Sequence, residues 1–218
     1  MNRKNIRLRY EKPSDYTTVE QLTREAFWNR YRPGCTEHYL LHILRDSDCF
    51  LPGLDIIAEH RGRIVGSIVY TKAKLFCDNG ETKEVLTFGP VSVLPSYQKN
   101  GIGSLLVGHT KELAGRMGYK AILIYGDPEY YGRFGFLNAE RYGIGTQDNL
   151  YADGLQALEL FPGALYGCAG GLRRIRFIRS TRRPQRNSTA SLSRRSCLRG
   201  FRLRNASARF PLHAGQEP

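Results

Sequence analysis

The segment of residues 86–125 constrains the fold more than any other part of this sequence. It begins with an apolar β-strand at residues 86–93 and passes through a glycine-containing loop into a helix whose apolar stripe ends at Gly118. A short apolar strand follows at residues 121–125. Because a strand, a helix and a second strand in this order form a crossover, the segment predicts two neighbouring parallel strands.

The other apolar patterns predict a sheet that is otherwise antiparallel. Two helices precede most of the sheet, the first ending near Trp28 and the second beginning near Thr36. Turns at Arg61-Gly62-Arg63 and Asp78-Asn79-Gly80 separate strands that follow one another as hairpins. The predicted strands are residues 6–10, 54–59, 64–76, 86–93, 121–125 and 155–160. We therefore predict an α+β fold with a mixed, mostly antiparallel sheet and flanking helices.

The net charge of +13 is concentrated at one end of the chain. Residues 1–170 are almost neutral, whereas residues 171–218 contain 13 Arg, no Lys and one acidic residue. We predict a folded domain at residues 1–168 and an Arg- and Ser-rich tail at residues 169–218. The tail fits a disordered nucleic-acid-binding arm. Arg without Lys is also typical of an out-of-frame translation of GC-rich DNA, and we favour that interpretation.

Several classes of protein are disfavoured by what the sequence lacks. No apolar run approaches the roughly 18 residues of a membrane helix, and charges lie where a signal peptide has its apolar core, so we expect a cytoplasmic protein without membrane contact. Five scattered cysteines without a C-x-x-C spacing indicate reduced thiols. His38 and His42 would share a helix face, but no third ligand is spaced nearby, so we predict no metal site.

The loop before the predicted central helix has the pattern Gln98-x-x-Gly101-x-Gly103. A helix N-terminus presents N–H groups without intrahelical partners and the positive end of the helix dipole, and both attract anions. The P-loop lysine and the third glycine of the dinucleotide fingerprint are absent. From glycine spacing alone, a phosphate-binding loop and an ordinary tight turn remain equal alternatives.

Three longer motifs carry a family resemblance. Residues 89–103, GPVSVLPSYQKNGIG, resemble the central acetyl-CoA motif of the GNAT superfamily of N-acetyltransferases. Residues 126–136, GDPEYYGRFGF, resemble the second motif as it appears in a group of bacterial predicted N-acetyltransferases, and residues 157–165, ALELFPGAL, are similar to the closing strand of that group. The resemblance covers about residues 5–168.

The resemblance implies where acetyl-CoA would bind. The two parallel strands would splay apart, and the cofactor would enter the slot between them. Its pantetheine would pair with backbone groups of the first strand, while its pyrophosphate would rest on the amides of the loop. The cofactor-binding residues implied are Val91, Val93, Gln98, Lys99, Asn100, Gly101, Ile102, Gly103 and Ser104.

The resemblance also implies a catalytic acid. The superfamily commonly uses a tyrosine four residues before the glycine of its Gly-Phe pair, and here that residue is Tyr131. Tyr130 is the alternative if the loop is displaced by one residue. A backbone N–H near Val93 is the implied oxyanion donor. No general base is assigned, and Glu59, Glu84, Asp127 and Glu129 are each interpreted as solvated surface carboxylates.

The leading functional hypothesis is an N-acetyltransferase that moves an acetyl group from acetyl-CoA to a primary amine by direct attack in a ternary complex. The acceptor is a small molecule or a protein amine, and a homodimer remains open. Trp28, Tyr31 and Tyr39 could line the acceptor mouth, but we interpret them as core aromatics. The rival hypotheses are a non-catalytic acyl-CoA sensor and a nucleic-acid-binding protein that acts through its tail.

Overall fold

The structure, a computed structural model, describes residues 5–31, 33–146 and 150–172. Its four α-helices are α1 (Tyr16–Phe27), α2 (Glu37–Arg45), α3 (Ile102–Arg116) and α4 (Pro128–Gly132). Its strands are β1 (Ile6–Tyr10), β2 (Ile56–His60), β3 (Arg63–Cys77), β4 (Thr82–Val93), β5 (Ala121–Tyr125), β6 (Leu137–Asn138), β7 (Ile144–Thr146), β8 (Leu155–Glu159) and β9 (Gly170–Leu172). None of the helices in these ranges is long and apolar enough to cross a membrane.

One mixed sheet organises the described residues. Its main path runs β1-β2-β3-β4-β5-β8-β6, and every neighbouring pair on it is antiparallel except β4 and β5. At the far end of β3, β9 pairs antiparallel with β3 and parallel with β7. The predicted α+β fold, with a parallel pair inside a mostly antiparallel sheet, is confirmed.

Apolar side chains pack on both faces of the sheet. The larger core joins the sheet to α1, α2 and α3 and includes the fully buried Val19, Ile68 and Leu106. Burying a side chain of this size stabilises the fold by roughly 1.5–3 kcal/mol. A smaller core, which includes Leu75 and Leu123, lies under the chain segment that ends in β9. The sheet is therefore held from two sides at the level of its central strands.

Two buried hydroxyl pairs fix the helices on the central strands. The hydroxyls of Thr23 on α1 and Ser92 on β4 lie 2.9 Å apart, and both residues are buried. The Tyr70 hydroxyl of β3 lies 3.0 Å from that of Thr110 on α3, whose own proton goes to a carbonyl of the preceding turn. Because buried hydroxyls are costly without partners, these pairs favour one placement of each helix.

Several bounds of strands, and the start of the tail, differ from those predicted from the sequence. The strand predicted from residue 86 begins at Thr82, because its first residues continue the hairpin with β3. Residues 155–160 are not the last strand, since β9 follows them, and β6 and β7 were not predicted. The predicted tail begins at residue 169, and its first four described residues include β9, held by a 2.6 Å bond from the Asp78 N–H to the Ala169 carbonyl. The arginine-rich residues 173–218 lie outside the described residues.

Candidate functional site

The loop between β4 and α3 ends on a helix N-terminus. Gly101 is the N-cap residue of α3 and has a φ of 79°, in the left-handed region that other residues rarely adopt. The Leu105 N–H donates to the Gly101 carbonyl across 3.0 Å. The N–H groups of Ile102, Gly103 and Ser104 come before that first bond and so have no acceptor within the helix. With the helix dipole, they can hold an anion.

Side chains of the same loop brace its backbone. The Gln98 side-chain amide donates to the Val93 carbonyl at the end of β4 across 3.0 Å. The Asn100 amide donates to the carbonyls of Tyr97, at 3.2 Å, and Gln98, at 3.0 Å. Lys99 has a φ of 60°, which these bonds help to hold. The side chains of Gln98 and Asn100 therefore hold the shape of the loop through bonds to nearby backbone carbonyls.

A slot opens between β4 and β5 beside this loop. In the described residues, the pairing of the two strands is limited to Leu86 and Ile122. Farther along β4, Val91 and Val93 pair with β3 on one edge, and no described strand pairs with their other edge. An extended ligand can therefore pair with that edge as an added strand would.

Two consecutive tyrosines reach the slot from α4. Asp127 caps α4 by accepting the Glu129 N–H at 2.9 Å, and Pro128 opens the helix. The rings of Tyr130 and Tyr131 then lie 4.9 Å apart, edge to face. They point to different neighbours, so the two positions are not interchangeable.

Tyr131 turns inward onto the central strands. Its ring lies 5.8 Å from those of Phe88 on β4 and Phe136. A side chain at Gly126 would overlap the Tyr131 ring, so the glycine is required for this packing. Burial raises the pKa of Tyr131 well above its ordinary value, and the nearby Tyr130 raises it further. The phenol is therefore protonated at neutral pH, as tyrosines ordinarily are.

Tyr130 instead reaches the start of α3. A Cβ added at Gly103 would lie only 2.7 Å from the Tyr130 hydroxyl and 3.9 Å from the Val93 side chain. A side chain at Gly103 would thus have to displace the Tyr130 hydroxyl, whereas Gly101 is required by its backbone conformation. The loop, α4 and the end of β4 meet at this point.

Residues 15–136, which include the loop and both tyrosines, match the model of the Acetyltransferase (GNAT) family. The chain belongs to this family. The expectation of an N-acetyltransferase is confirmed, and the fold agrees with it.

Relatives of known name support the family assignment. The chain is 26% identical over 163 residues to the uncharacterized N-acetyltransferase YhbS of Escherichia coli K12, covering 75% of this chain and 92% of that protein. A crystal structure of Escherichia coli YhbS in complex with CoA has a TM-score of 0.67 at 25% identity and covers 77% of this chain and 88% of that one. A GNAT acetyltransferase from Brucella melitensis in complex with acetyl-CoA has a TM-score of 0.57 at 28% identity, with 72% of this chain and 89% of that chain covered.

The four carboxylates named from the sequence have ordinary structural surroundings in this GNAT domain. Glu59 pairs with Arg9 at 2.8 Å and Glu84 with Lys72 at 3.1 Å. Asp127 caps α4, so three of the four candidate carboxylates have structural contacts. Glu129, the fourth, is exposed in the first turn of α4. These contacts do not assign a general base.

Within the described part of the chain, the two histidines do not form a metal site, and the three aromatics near the first two helices do not lie in the core. His38 Nδ1 lies 3.4 Å from the Cys35 sulfur, whereas His42 Nδ1 lies 3.1 Å from Glu20, so the two histidines have different partners. Among the described residues there is no group of three or more metal-ligating side chains, and four cysteines there are free thiols. The core interpretation of three aromatics was wrong: their exposed fractions are 50% for Trp28, 67% for Tyr31 and 53% for Tyr39.

Sequence reasoning missed a buried ionic cluster, which consists of Glu11, Asp55 and Arg45. Arg45 donates to Glu11 at 2.6 Å and to Glu20 at 2.7 Å, and its guanidinium lies 4.0 Å over the Tyr16 ring. The cluster joins β1, α1 and α2 to the start of β2. Its three members come from distant parts of the sequence, so no local pattern could have indicated it.

Proposed function

We propose that this GNAT acetyltransferase transfers an acetyl group from acetyl-CoA to a primary amine by direct attack in a ternary complex. The observation that carries the proposal is the meeting of two features beside the unpaired edge of β4: N–H groups without helical acceptors at the start of α3, and the Tyr131 phenol packed on Phe88. The solved relatives with CoA and acetyl-CoA support the choice of cosubstrate.

The cofactor would bind mainly to backbone groups. Its pyrophosphate would accept hydrogen bonds from the N–H groups of Ile102, Gly103 and Ser104, where the helix dipole also favours negative charge. Its pantetheine amides would pair with the free edge of β4 at Val91 and Val93. This arrangement would place the thioester near Phe88 and Tyr131, where the two strands diverge.

The chemistry requires two proton movements. An amine of pKa near ~10.4 must lose a proton before its nitrogen can attack the thioester carbon. As the tetrahedral intermediate collapses, the carbon–sulfur bond breaks and the thiolate leaves. Tyr131 would give its proton to that sulfur and would be reprotonated by the proton that the attacking nitrogen releases as the amide forms. A backbone N–H near Val93 would stabilise the oxyanion. The products are the acetylated amine and CoA.

The experiment pairs a binding assay with an activity assay. Acetyl-CoA binding is measured by calorimetry, and thiol release is followed across a panel of aminoglycosides, polyamines and peptides with free amines. We expect micromolar or tighter binding and thiol release that requires one class of amine. Tight binding without release for any amine would favour the non-catalytic sensor, and no binding would refute the assigned slot.

A further inference from the structure

Arg133 is a cation that lacks a carboxylate partner among the described ion pairs. It lies at the C-terminal end of α4 and is exposed. Its guanidinium carbon instead lies 4.0 Å over the centre of the Tyr130 ring and 5.3 Å from that of Phe134. An exposed guanidinium held on aromatic rings keeps its charge and its N–H donors available to an anion.

Tyr130 connects the Arg133 guanidinium to the loop between β4 and α3. The face of its ring carries the Arg133 guanidinium, while its hydroxyl reaches the position where a Cβ of Gly103 would lie. One tyrosine therefore spans from the guanidinium to the start of α3. Through this one side chain, the charge of Arg133 is linked to the start of α3, although the two come from different elements of the fold.

We propose that Arg133, positioned by the Tyr130 ring, binds the pyrophosphate of acetyl-CoA together with the amides of α3. This inference rests on the proposed function, because it assumes that acetyl-CoA occupies the slot. Arginine suits the role, since its planar fork can donate two hydrogen bonds to phosphate oxygens. The ring holds the side chain before the ligand arrives, so less side-chain freedom is lost on binding.

The test separates the phosphates of the cofactor by using three ligands. Acetyl-CoA carries the pyrophosphate and the 3′-phosphate, acetyl-dephospho-CoA carries only the pyrophosphate, and acetylpantetheine carries neither. Arg133→Gln should weaken binding of the first two by about tenfold, as the loss of a hydrogen bond to a charged group does. Binding of acetylpantetheine, followed by NMR titration, should be unchanged.

A matched control and a substitution that removes the stacking ring of Tyr130 complete the experiment. Arg116→Gln removes the same charge at the opposite end of α3, where Arg116 pairs weakly with Glu112, and should leave all three affinities within about twofold. Tyr130→Leu should weaken binding as Arg133→Gln does, and the double variant should lose little more, because the ring acts through the guanidinium.

The other possible results would each overturn either the role of Arg133 or the proposed function. A loss seen with acetyl-CoA alone would assign Arg133 to the 3′-phosphate and overturn the proposal. Equal losses with all three ligands would mean that the substitution damages the slot itself, which also overturns it. Unchanged affinity for acetyl-CoA would do the same. If the unmodified protein binds none of the ligands, the proposed function fails before Arg133 is in question.

Discussion

The loop between β4 and α3 and the buried ionic cluster differ in where their unpartnered polar groups lie. At the start of α3, the N–H groups of Ile102 and Gly103 have no acceptor within the helix, and the neighbouring edge of β4 is not covered by any described strand. In the cluster, one carboxyl oxygen each of Glu11 and Asp55 lacks a described partner, and so does the Arg45 Nε, yet all three atoms are buried. The first arrangement can accept an anion from solution, whereas the second must be satisfied within the protein.

Proton sharing is what satisfies the cluster. Burial raises the pKa of Glu11 to about 9, and the nearby Asp55 carboxyl raises it further, while Arg45 opposes the rise. Burial also raises the pKa of Asp55. At neutral pH the two carboxyls therefore hold a proton that ordinary surface carboxylates would have lost. The start of α3 leaves N–H groups without helical acceptors, whereas the cluster neutralises charge between α1, α2 and the sheet.

The largest expected effect comes from filling the loop. Gly103→Val places a branched side chain where the Tyr130 hydroxyl already lies, so it should block the helix start and weaken acetyl-CoA binding by at least about 100-fold. Gly101→Val should act similarly through its φ of 79°. Calorimetry on protein shown to be folded by circular dichroism measures both.

The matched control for this substitution lies on the same helix. A Cβ added at Gly108 meets nothing within 4 Å, so Gly108→Val should retain acetyl-CoA affinity. If a folded Gly103→Val protein also retained acetyl-CoA affinity, the pyrophosphate would have to bind elsewhere. The loop would then no longer differ from the cluster in accepting an anion from solution.

The second effect concerns catalysis beside the loop. Tyr131→Phe keeps the ring that packs on Phe88 and removes the phenolic proton, so kcat should fall by about 10²–10⁴-fold with little change in acetyl-CoA affinity. Because the pKa of Tyr131 is raised, the acid stays protonated through neutral pH and activity should not decline there from its ionisation. A kcat loss in Tyr130→Phe but not in Tyr131→Phe would reverse the assignment of the two tyrosines.

The loop could be predicted from the sequence because its parts are contiguous. Gln98, Gly101 and Gly103 lie within six residues, and the apolar stripe of α3 follows at once, so local patterns contained the strand end, the turn and the helix start. The motif around Tyr131 was equally local. The inward orientation of the Tyr131 ring could not be predicted locally, because it depends on packing against Phe88 of β4.

What the sequence did not reveal depends on tertiary contacts. Arg133 was part of a recognised motif, but its stacking on Tyr130 and the reach of that tyrosine to Gly103 need the folded chain. Glu11, Arg45 and Asp55 carry no local signal of burial, and charged residues are ordinarily expected at the surface. The exposed Trp28 was assigned to the core because helical spacing alone does not tell which face is covered.

The third effect is a pH dependence of the free energy of unfolding that comes from the buried ionic cluster. Glu11 loses its proton near pH 9 when folded but near its ordinary value of 4.5 when unfolded. The folded state therefore binds more protons between these values, and the free energy of unfolding should fall as pH rises through this window, by on the order of a few kcal/mol. Glu11→Gln cannot titrate at this position, so its unfolding free energy should depend less on pH.

Urea unfolding at several pH values between 5 and 9 measures this difference. Glu112→Gln is the control, because it removes an exposed carboxylate and leaves the buried pair intact, so the fall with pH should persist. Identical slopes for Glu11→Gln and the unmodified protein would refute proton sharing in the cluster. Acetyl-CoA affinity should be the same in both at pH 7, since the cluster does not contact the loop residues.

The smallest effect is expected from removing the arginine-rich tail, and the place of the cut decides its meaning. Ending the chain after Leu172 retains β9, which pairs with β3 and β7, so acetyl-CoA binding and thermal stability should stay within error. Ending it after Cys168 deletes β9 and the bond from Asp78 to Ala169, and should lower the melting temperature. Loss of acetyl-CoA binding after the cut at Leu172 would mean that the tail supports the slot, which would overturn the proposed domain boundary.

A gel-shift assay on the same truncated chain tests the alternative function of the tail. If the arginines act as a nucleic-acid arm, only the full chain should shift labelled DNA or RNA, and the shift should weaken steeply as salt rises.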